Sequence, residues 1–517
     1  MDATPEKPSD DGGPFGKPII EDPSARALAR VGVIDVGSNS VRLVVFDGAA
    51  RSPAYFYNEK VMAALGAGMG ETGHLNPEGR TRALAALRRF AALAKAMKVS
   101  PLVAVATAAV REAKDGAAFR KEVTRATGLR LKIIDGEEEA RLSAQGVLLG
   151  WPDADGVICD IGGSSMELAE VSGGQVGRRV TTALGPLKLK DLKGGGKALR
   201  AHARDVLARL AGDFGPGRRL YLVGGSWRAI GRIDMARRSY PLTLLHEYRL
   251  TPEQVRETVD FLDPETGEGL RARTGIGLER MSLVPVAAQV LAELVRALKP
   301  SEIDISSYGI REGLLYEQMP KKLRARDPLI EACRFAEQSG ARIPGFGKKL
   351  FAFIQPLFPG ATPARLRIMK AACLLHDVSW RAHPDYRHEV CFDNATRANL
   401  GGLNHPERVF LGLSLLHRYR NSRAGTRFEP LFGLLAEDEL RDAEAVGKAM
   451  RFGAMFSAEA LDEMAELRFD PAARKVELRL HPDAEALYGE VAQARYQAMC
   501  KALGAEGTCL VLPGRKG

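Results

Sequence analysis

The chain has no run of eighteen apolar residues, so no segment reads as a membrane span. Its first stretch, "MDATPEKPSDDGGPFGKPIIEDPSAR", lacks the apolar core of a signal peptide. It is rich in Pro, Gly and Asp, so a disordered tail is expected over 1–28. Cysteine is scarce and scattered, at 159, 333, 373, 391, 500 and 509, with no Cys-x-x-Cys pair. Neither a zinc site nor a disulfide framework is indicated, and a reduced, cytoplasmic setting is expected. Acidic charge is in deficit. The formal net charge is +10, and residues 1–26 carry three basic and six acidic side chains (−3), so the rest carries +13. Such a surplus suits a polyanion, whether nucleic acid, a phosphate-rich small molecule or an inorganic polymer.

What the chain does have is a repeated idea. Residues 35–43 read "DVGSNSVRL" and residues 160–168 read "DIGGSSMEL". Each follows an apolar strand pattern and precedes another, so each reads as the turn of a β-hairpin, the first spanning 31–48. After the first come a helical pattern at 77–98, strands at 101–107 and 130–134, and a helix between them. After the second come the strand "QVGRRVTT", a helix at 197–211, strand 219–225, a helix from 226, a helix at 283–298, strand 302–306 and a helix at 310–319. The alternation predicts two α/β domains of one plan, over 29–141 and 142–320, facing each other across a cleft. A helical domain over 321–460 and a small α/β piece over 461–517 complete the expected layout.

Glycine lets backbone approach a ligand closely, successive N–H groups make an anion nest, and Ser hydroxyls add donors. An Asp at a strand end can hold Mg²⁺ directly or through water. The same residues also make ordinary hairpin turns, but two matched turns, each opening an α/β half, favour one phosphate group held from both sides. The pair differs where the first has Arg42 and the second Glu167, a cation against a carboxylate that could share a metal with Asp160. In "IIDGEEEARL" (133–142), Asp135 can cap a helix and its Glu residues can complement the dipole, or one can serve as a base for attacking water. "ATAAVREA" places Arg111 just after a strand, where its fork suits a tetrahedral oxyanion. "LVGGSWRAIG" (222–231) is another candidate phosphate or nucleotide seat. "CLLHDVSW" holds a His376-Asp377 doublet, but there is no histidine between His246 and His376. The upstream ligand of a metal-dependent HD hydrolase is therefore missing, and a metal-free structural role is expected.

The stretches "VIDVGSNSVRL", "AVREA", "IIDGEEEARL", "ICDIGGSSMEL", "LVGGSWRAIG" and "YGIREGLLYE" together resemble the exopolyphosphatase / guanosine pentaphosphate phosphohydrolase family, within the actin–hexokinase–Hsp70 superfamily. The region with "LLHDV" and the α/β end resemble its long, four-domain members with an HD-like domain. The resemblance implies two tandem ribonuclease-H-like domains and a Mg²⁺-dependent phosphohydrolase acting on the end of inorganic polyphosphate. Guanosine pentaphosphate is the alternative substrate, a kinase or ATPase and a non-catalytic sensor are more distant alternatives, and a homodimer with no nucleic-acid partner is expected. It implies Glu139 as the base, with Glu138 in the same site. Asp160 and Glu167 would hold metal. Arg111, Asp35, Gly37, Ser38, Asn39, Ser40, Gly162, Gly163, Ser164 and Ser165 would hold phosphate. Ser164 stands where the family usually has a third Gly, adding a Cβ where positive φ is expected. Met166 replaces a small hydroxyl residue. Basic stretches at 188–200, 321–326 and 418–423 suggest a track for a long polyanion.

Overall fold

The computed structural model describes residues 30–47, 51, 53–262, 267–457 and 459–513; the tail expected over 1–28 lies outside them. Two compact units divide between Arg326 and Asp327.

In the first unit, strands β1 (Val31–Val36) and β2 (Ser40–Phe46) form the first hairpin, and β3 (Tyr55–Met62) continues it. Helix α1 (Pro77–Ala96) leads to β4 (Leu102–Ala106), and α2 (Ala108–Glu112) and α3 (Gly116–Thr127) lead to β5 (Leu131–Ile133). The sheet order is β3-β2-β1-β4-β5, with β1, β4 and β5 parallel and the two hairpin pairings antiparallel. Helix α4 (Gly136–Gly150) follows.

The plan then repeats. Strands β6 (Gly156–Ile161), β7 (Met166–Ser172) and β8 (Gln175–Thr182) form a meander. Helix α5 (Gly195–Phe214), β9 (Leu220–Val223), α6 (Gly225–Arg237), β10 (Tyr248–Leu250), α7 (Val284–Leu298), β11 (Ile303–Ser306) and α8 (Ile310–Gln318) follow. The order β8-β7-β6-β9-β11 matches the first sheet strand for strand, with β10 added at the far edge. The two sheets thus repeat one plan, the ribonuclease-H-like arrangement expected of the two halves. The domain boundary expected at 141/142 falls inside α4, which follows the first sheet in the chain and packs against β6, β7 and β8 of the second.

Helices α4 and α8 occupy equivalent places after the last core strand of each half, and they cross in direct contact. A Cβ at Gly146 would lie 2.3 Å from the Gly309 carbonyl oxygen, and one at Gly313 would lie 1.9 Å from that of Leu142. One apolar layer links Val33 and Phe46 of the first sheet, Leu142 and Val147 of α4, Ile158 and Val223 of the second sheet, and Leu314 of α8. Burying each such side chain contributes about 1.5–3 kcal/mol, so the two sheets are fixed through this pair of helices. The stretch Leu278–Leu298 is long and apolar enough to cross a bilayer by composition alone. Here its helix α7 buries Val284, Ala287, Val290, Leu291 and Leu294 in the core of the second half.

The second unit is mainly helical from Pro328 to Phe456. It ends in a three-stranded sheet of β12 (Ala465–Asp470), β13 (Lys475–Leu480) and β14 (Glu506–Val511), with helix Glu490–Ala502 before the last strand.

Candidate active site

The two hairpin turns share their bonding as well as their sequence. Register pairs Asp35 with Arg42 across β1–β2 and Asp160 with Glu167 across β6–β7. The Gly37 N–H donates to the Ser40 carbonyl at 3.0 Å, and the Gly162 N–H donates to the Ser165 carbonyl at 3.0 Å. Asp35, Gly37, Ser38, Asn39 and Ser40 line one wall of a cavity of about 190 Å³. Asp160, Gly162, Gly163, Ser164, Ser165 and Glu167 line the other.

Ser164 departs from expectation. It is not among the described non-glycine residues with positive φ, so its Cβ costs no left-handed strain. The close approach lies behind the turn, where a Cβ on Gly185 would come within 2.1 Å of the Ser164 carbonyl carbon.

Glu139 enters the cavity from the first turn of α4 and is 6% exposed. Asp135 caps this helix, its carboxylate accepting the Glu138 N–H at 2.8 Å. Arg111 donates to Glu139 Oε1 at 2.6 Å and to the Ile134 carbonyl at 2.7 Å. Arg111 thus pairs directly with Glu139. Glu138 turns outward to Arg141 (2.7 and 2.8 Å) and Lys132 (3.1 Å), and the Arg141 hydrogen bonds hold its carboxyl down near about 2. A group so firmly ionised and paired is a poor base.

Residues 44–322 match the profile of the Ppx/GppA phosphatase family, and residues 332–510 match that described as exopolyphosphatase, C-terminal. The chain belongs to the Ppx/GppA phosphatase family. It is 27% identical over 307 residues to Exopolyphosphatase 1 of Mycobacterium tuberculosis, covering 56% of this chain and 88% of that one. Exopolyphosphatase 1 of Mycobacterium leprae is 27% identical over 305 residues, covering 56% and 89%. Among solved structures, an exopolyphosphatase from Cytophaga hutchinsonii aligns with a TM-score of 0.51 at 23% identity, over 58% of this chain and 99% of that one.

Four carboxyls crowd the cleft of this phosphatase. Burial pushes Glu139 up to about 7, although Arg111 pulls the other way. Burial also raises Glu167, reinforced by Glu139 and Asp160. Asp160 is raised by burial, against the hydrogen bond it accepts from Ser143. Asp35 is raised by burial and pulled partly back by Arg311 and Arg42. Glu167 also accepts from Thr181 Oγ1 at 3.0 Å. This is a hard-oxygen donor set. Among the described residues no three His, Cys, Asp or Glu side chains converge as a closed cage. One or two carboxylates plus substrate oxygens and water is how Mg²⁺ is commonly held, and Asp160 with Glu167 fits that pattern.

The sequence reading missed three arginines. Arg280 lines the cavity and donates to Ser226 Oγ at 3.1 Å. Arg311, on α8, lies within electrostatic reach of Asp35 and Asp160. Arg228 donates to the Ser306 carbonyl at 3.3 Å, as Arg111 does to Ile134. The signal for Arg228 was available. It stands five residues past the end of β9, as Arg111 does past β4.

The HD doublet is engaged internally. Asp377 accepts a fork from Arg342 at 2.8 and 2.5 Å. His376 Nδ1 meets the Cys373 carbonyl at 2.8 Å, and burial, then Arg418, pushes the ring down to about 4. Two of the three basic stretches are also partly structural. Arg324 donates to the Met319 and Glu317 carbonyls, Arg418 is buried, and Arg423 faces Glu444. Lys190, Lys193 and Lys197 are exposed soon after Leu187 of the cavity wall, and Lys188, also exposed, pairs with Glu112 at 3.0 Å.

Proposed function

We propose that this phosphatase is an exopolyphosphatase, hydrolysing the terminal phosphate of inorganic polyphosphate to orthophosphate. The observation that carries the reading is Glu139, a buried carboxyl near about 7, aimed into a hollow lined by two anion-binding turns. A base with that affinity is about half ionised at neutral pH, close to the optimum for taking a proton from water. The relatives named exopolyphosphatase support the substrate class.

Glu139 accepts the proton of a water aimed at the terminal phosphorus, and Arg111 keeps its other oxygen in place. The turns at 37–40 and 162–165 supply N–H and O–H donors to the equatorial oxygens, where charge spreads in a loose transition state. Asp160 and Glu167 are the residues that would hold a divalent cation, Mg²⁺ in this reading, which supplies charge neutralisation on the phosphates when bound. The bridging oxygen leaves with the shortened chain, and the exposed lysines from Lys190 onward offer that chain cations outside the cleft.

A cavity of about 190 Å³ suits a phosphate terminus and is small for a nucleoside, so the rest of any substrate lies outside it. Rates on long polyphosphate, tripolyphosphate, guanosine pentaphosphate and ATP, measured side by side, test the proposal. Long polyphosphate is expected to give the highest kcat/KM. A preference for guanosine pentaphosphate would move the assignment to that substrate, and phosphoryl transfer without orthophosphate release would end the hydrolase reading.

A further inference from the structure

The unit from Asp327 to Gly517 carries a groove of about 770 Å³ that the reaction above does not use. That volume lies within the usual range for small-molecule sites, roughly 300–1,000 Å³. The groove runs between the start of helix Pro363–Leu375, helix Glu437–Phe456 and the end of β12. Its floor is aromatic, with Phe358, Phe410 and Phe469. Its rim has Arg365, Arg441, Arg474 and Lys501 against one carboxylate, Asp442.

The parts are held in place before any ligand arrives. The Arg365 guanidinium stacks 3.7 Å from the Phe410 ring centroid and donates to Glu439 at 2.7 Å, so wall and cation are fixed together. Thr362 caps the thirteen-residue helix Pro363–Leu375 and lies in the groove wall, adding that helix's positive end. Arg474 sits in the β12–β13 turn at φ 50, a left-handed conformation that side chains rarely adopt. Its carbonyl is pinned by the Glu506 N–H at 2.9 Å. Arg474 and Lys501 also border an adjoining hollow with Gln497, so positive charge continues outward from the aromatic floor. Partial desolvation raises the Asp442 carboxyl, with Arg365 opposing, and the side chain stands as an exposed acceptor on the rim.

Two simple occupants fail this lining. A bare phosphate chain would leave the Phe358 and Phe469 rings unused, and an apolar chain would bury against Arg441, Arg474 and Lys501. An anion with a planar body satisfies both surfaces. We propose that this groove is a nucleotide site, with a base against Phe358 and Phe469 and the phosphates on Arg441, Arg474 and Lys501. Asp442 then accepts from an N–H of the base or a ribose hydroxyl. The assignment does not depend on the cleft's reaction.

The test is calorimetric titration of the full chain carrying Glu139→Gln, which slows hydrolysis in the cleft, with ATP, GTP and tripolyphosphate. The same background then receives Arg474→Glu with Lys501→Glu, both exposed, and separately Phe469→Leu, which keeps apolar volume and removes the ring. At least one nucleotide is expected to bind with Kd below about 1 mM. The double charge reversal should weaken it about tenfold or more, and Phe469→Leu about fivefold or more, the scale of losing one stacking partner. Tripolyphosphate affinity should be unmoved by Phe469→Leu. Absence of nucleotide binding, or nucleotide affinity indifferent to the charge reversal, overturns the site. Equal weakening of tripolyphosphate and nucleotide by Phe469→Leu overturns the base-binding assignment. Should Phe469→Leu lower Tm markedly, Phe358→Leu repeats the ring test at the other lining ring.

Discussion

Replacing Glu139 by Gln keeps the size and one acceptor oxygen for Arg111 but removes the base. Loss of a positioned base costs about 10²–10⁴-fold, or about 3–5 kcal/mol of barrier. The kcat on tripolyphosphate should fall by that factor. The wild-type kcat/KM should rise with pH through about 7, as Glu139 ionises, and the variant should lose that limb. Stability should move the opposite way. The folded value lies above the ordinary carboxyl value of 4.5, so folding favours the protonated form. That stability is complete below the unfolded pKa and is lost as pH rises through about 7. At about 1.4 kcal/mol per unit, the loss above pH 7 is on the order of 3 kcal/mol. Glu139→Gln should escape it, so its Tm relative to wild type should be higher at pH 8 than at pH 5. A folded variant with kcat reduced less than tenfold would remove Glu139 as the base. A Tm difference flat with pH would remove the buried-carboxyl argument.

Asp160→Asn or Glu167→Gln should raise the Mg²⁺ concentration needed for half-maximal activity and shrink the Mg²⁺-induced rise in Tm; unchanged titrations in both would take them out of the cation site. Ser164→Gly should leave kcat within about threefold and lower stability by about 0.5–1 kcal/mol, since Ser164 needs no left-handed backbone; a collapse in activity would give Ser164 a role of its own. His376→Ala with Asp377→Ala should cost Tm through the lost Arg342 pairing without changing cleft kcat or releasing a bound transition metal on elemental analysis. A chain ending at Arg326, where the first unit ends, should still cleave tripolyphosphate but bind long polyphosphate more weakly and with less salt dependence; equal processivity on long chains would refute a role for the later unit in holding them.

The duplicated turns were legible because hairpin punctuation and the apolar strand pattern coincide in nine residues, and β6 to β9 follow the sequence reading closely. The strand Tyr55–Met62 was not, because "YFYNEKVM" has little apolar alternation. It is a sheet-edge strand, mostly exposed, whose Glu59 is held by Arg89 of α1. β14 escaped notice because its residues are largely exposed and short. In the cleft, local motifs identified the residues that form the turns and Glu139. They could not say that Arg111 pairs with Glu139 while Glu138 turns to Arg141, because neighbours on a helix's first turn diverge by about 100°. Arg280 carries no motif at all, and its place follows from how the short helix Leu278–Met281 packs against the start of α6.

Hydrolysis in ¹⁸O-labelled water tests the central claim most directly. With long polyphosphate, each released orthophosphate should carry one solvent oxygen, the remaining chain none, and Glu139→Gln should slow that incorporation by at least a hundredfold. Label in the shortened chain, random internal cleavage, or undiminished incorporation in the variant would contradict Glu139-directed attack of water on the terminal phosphorus.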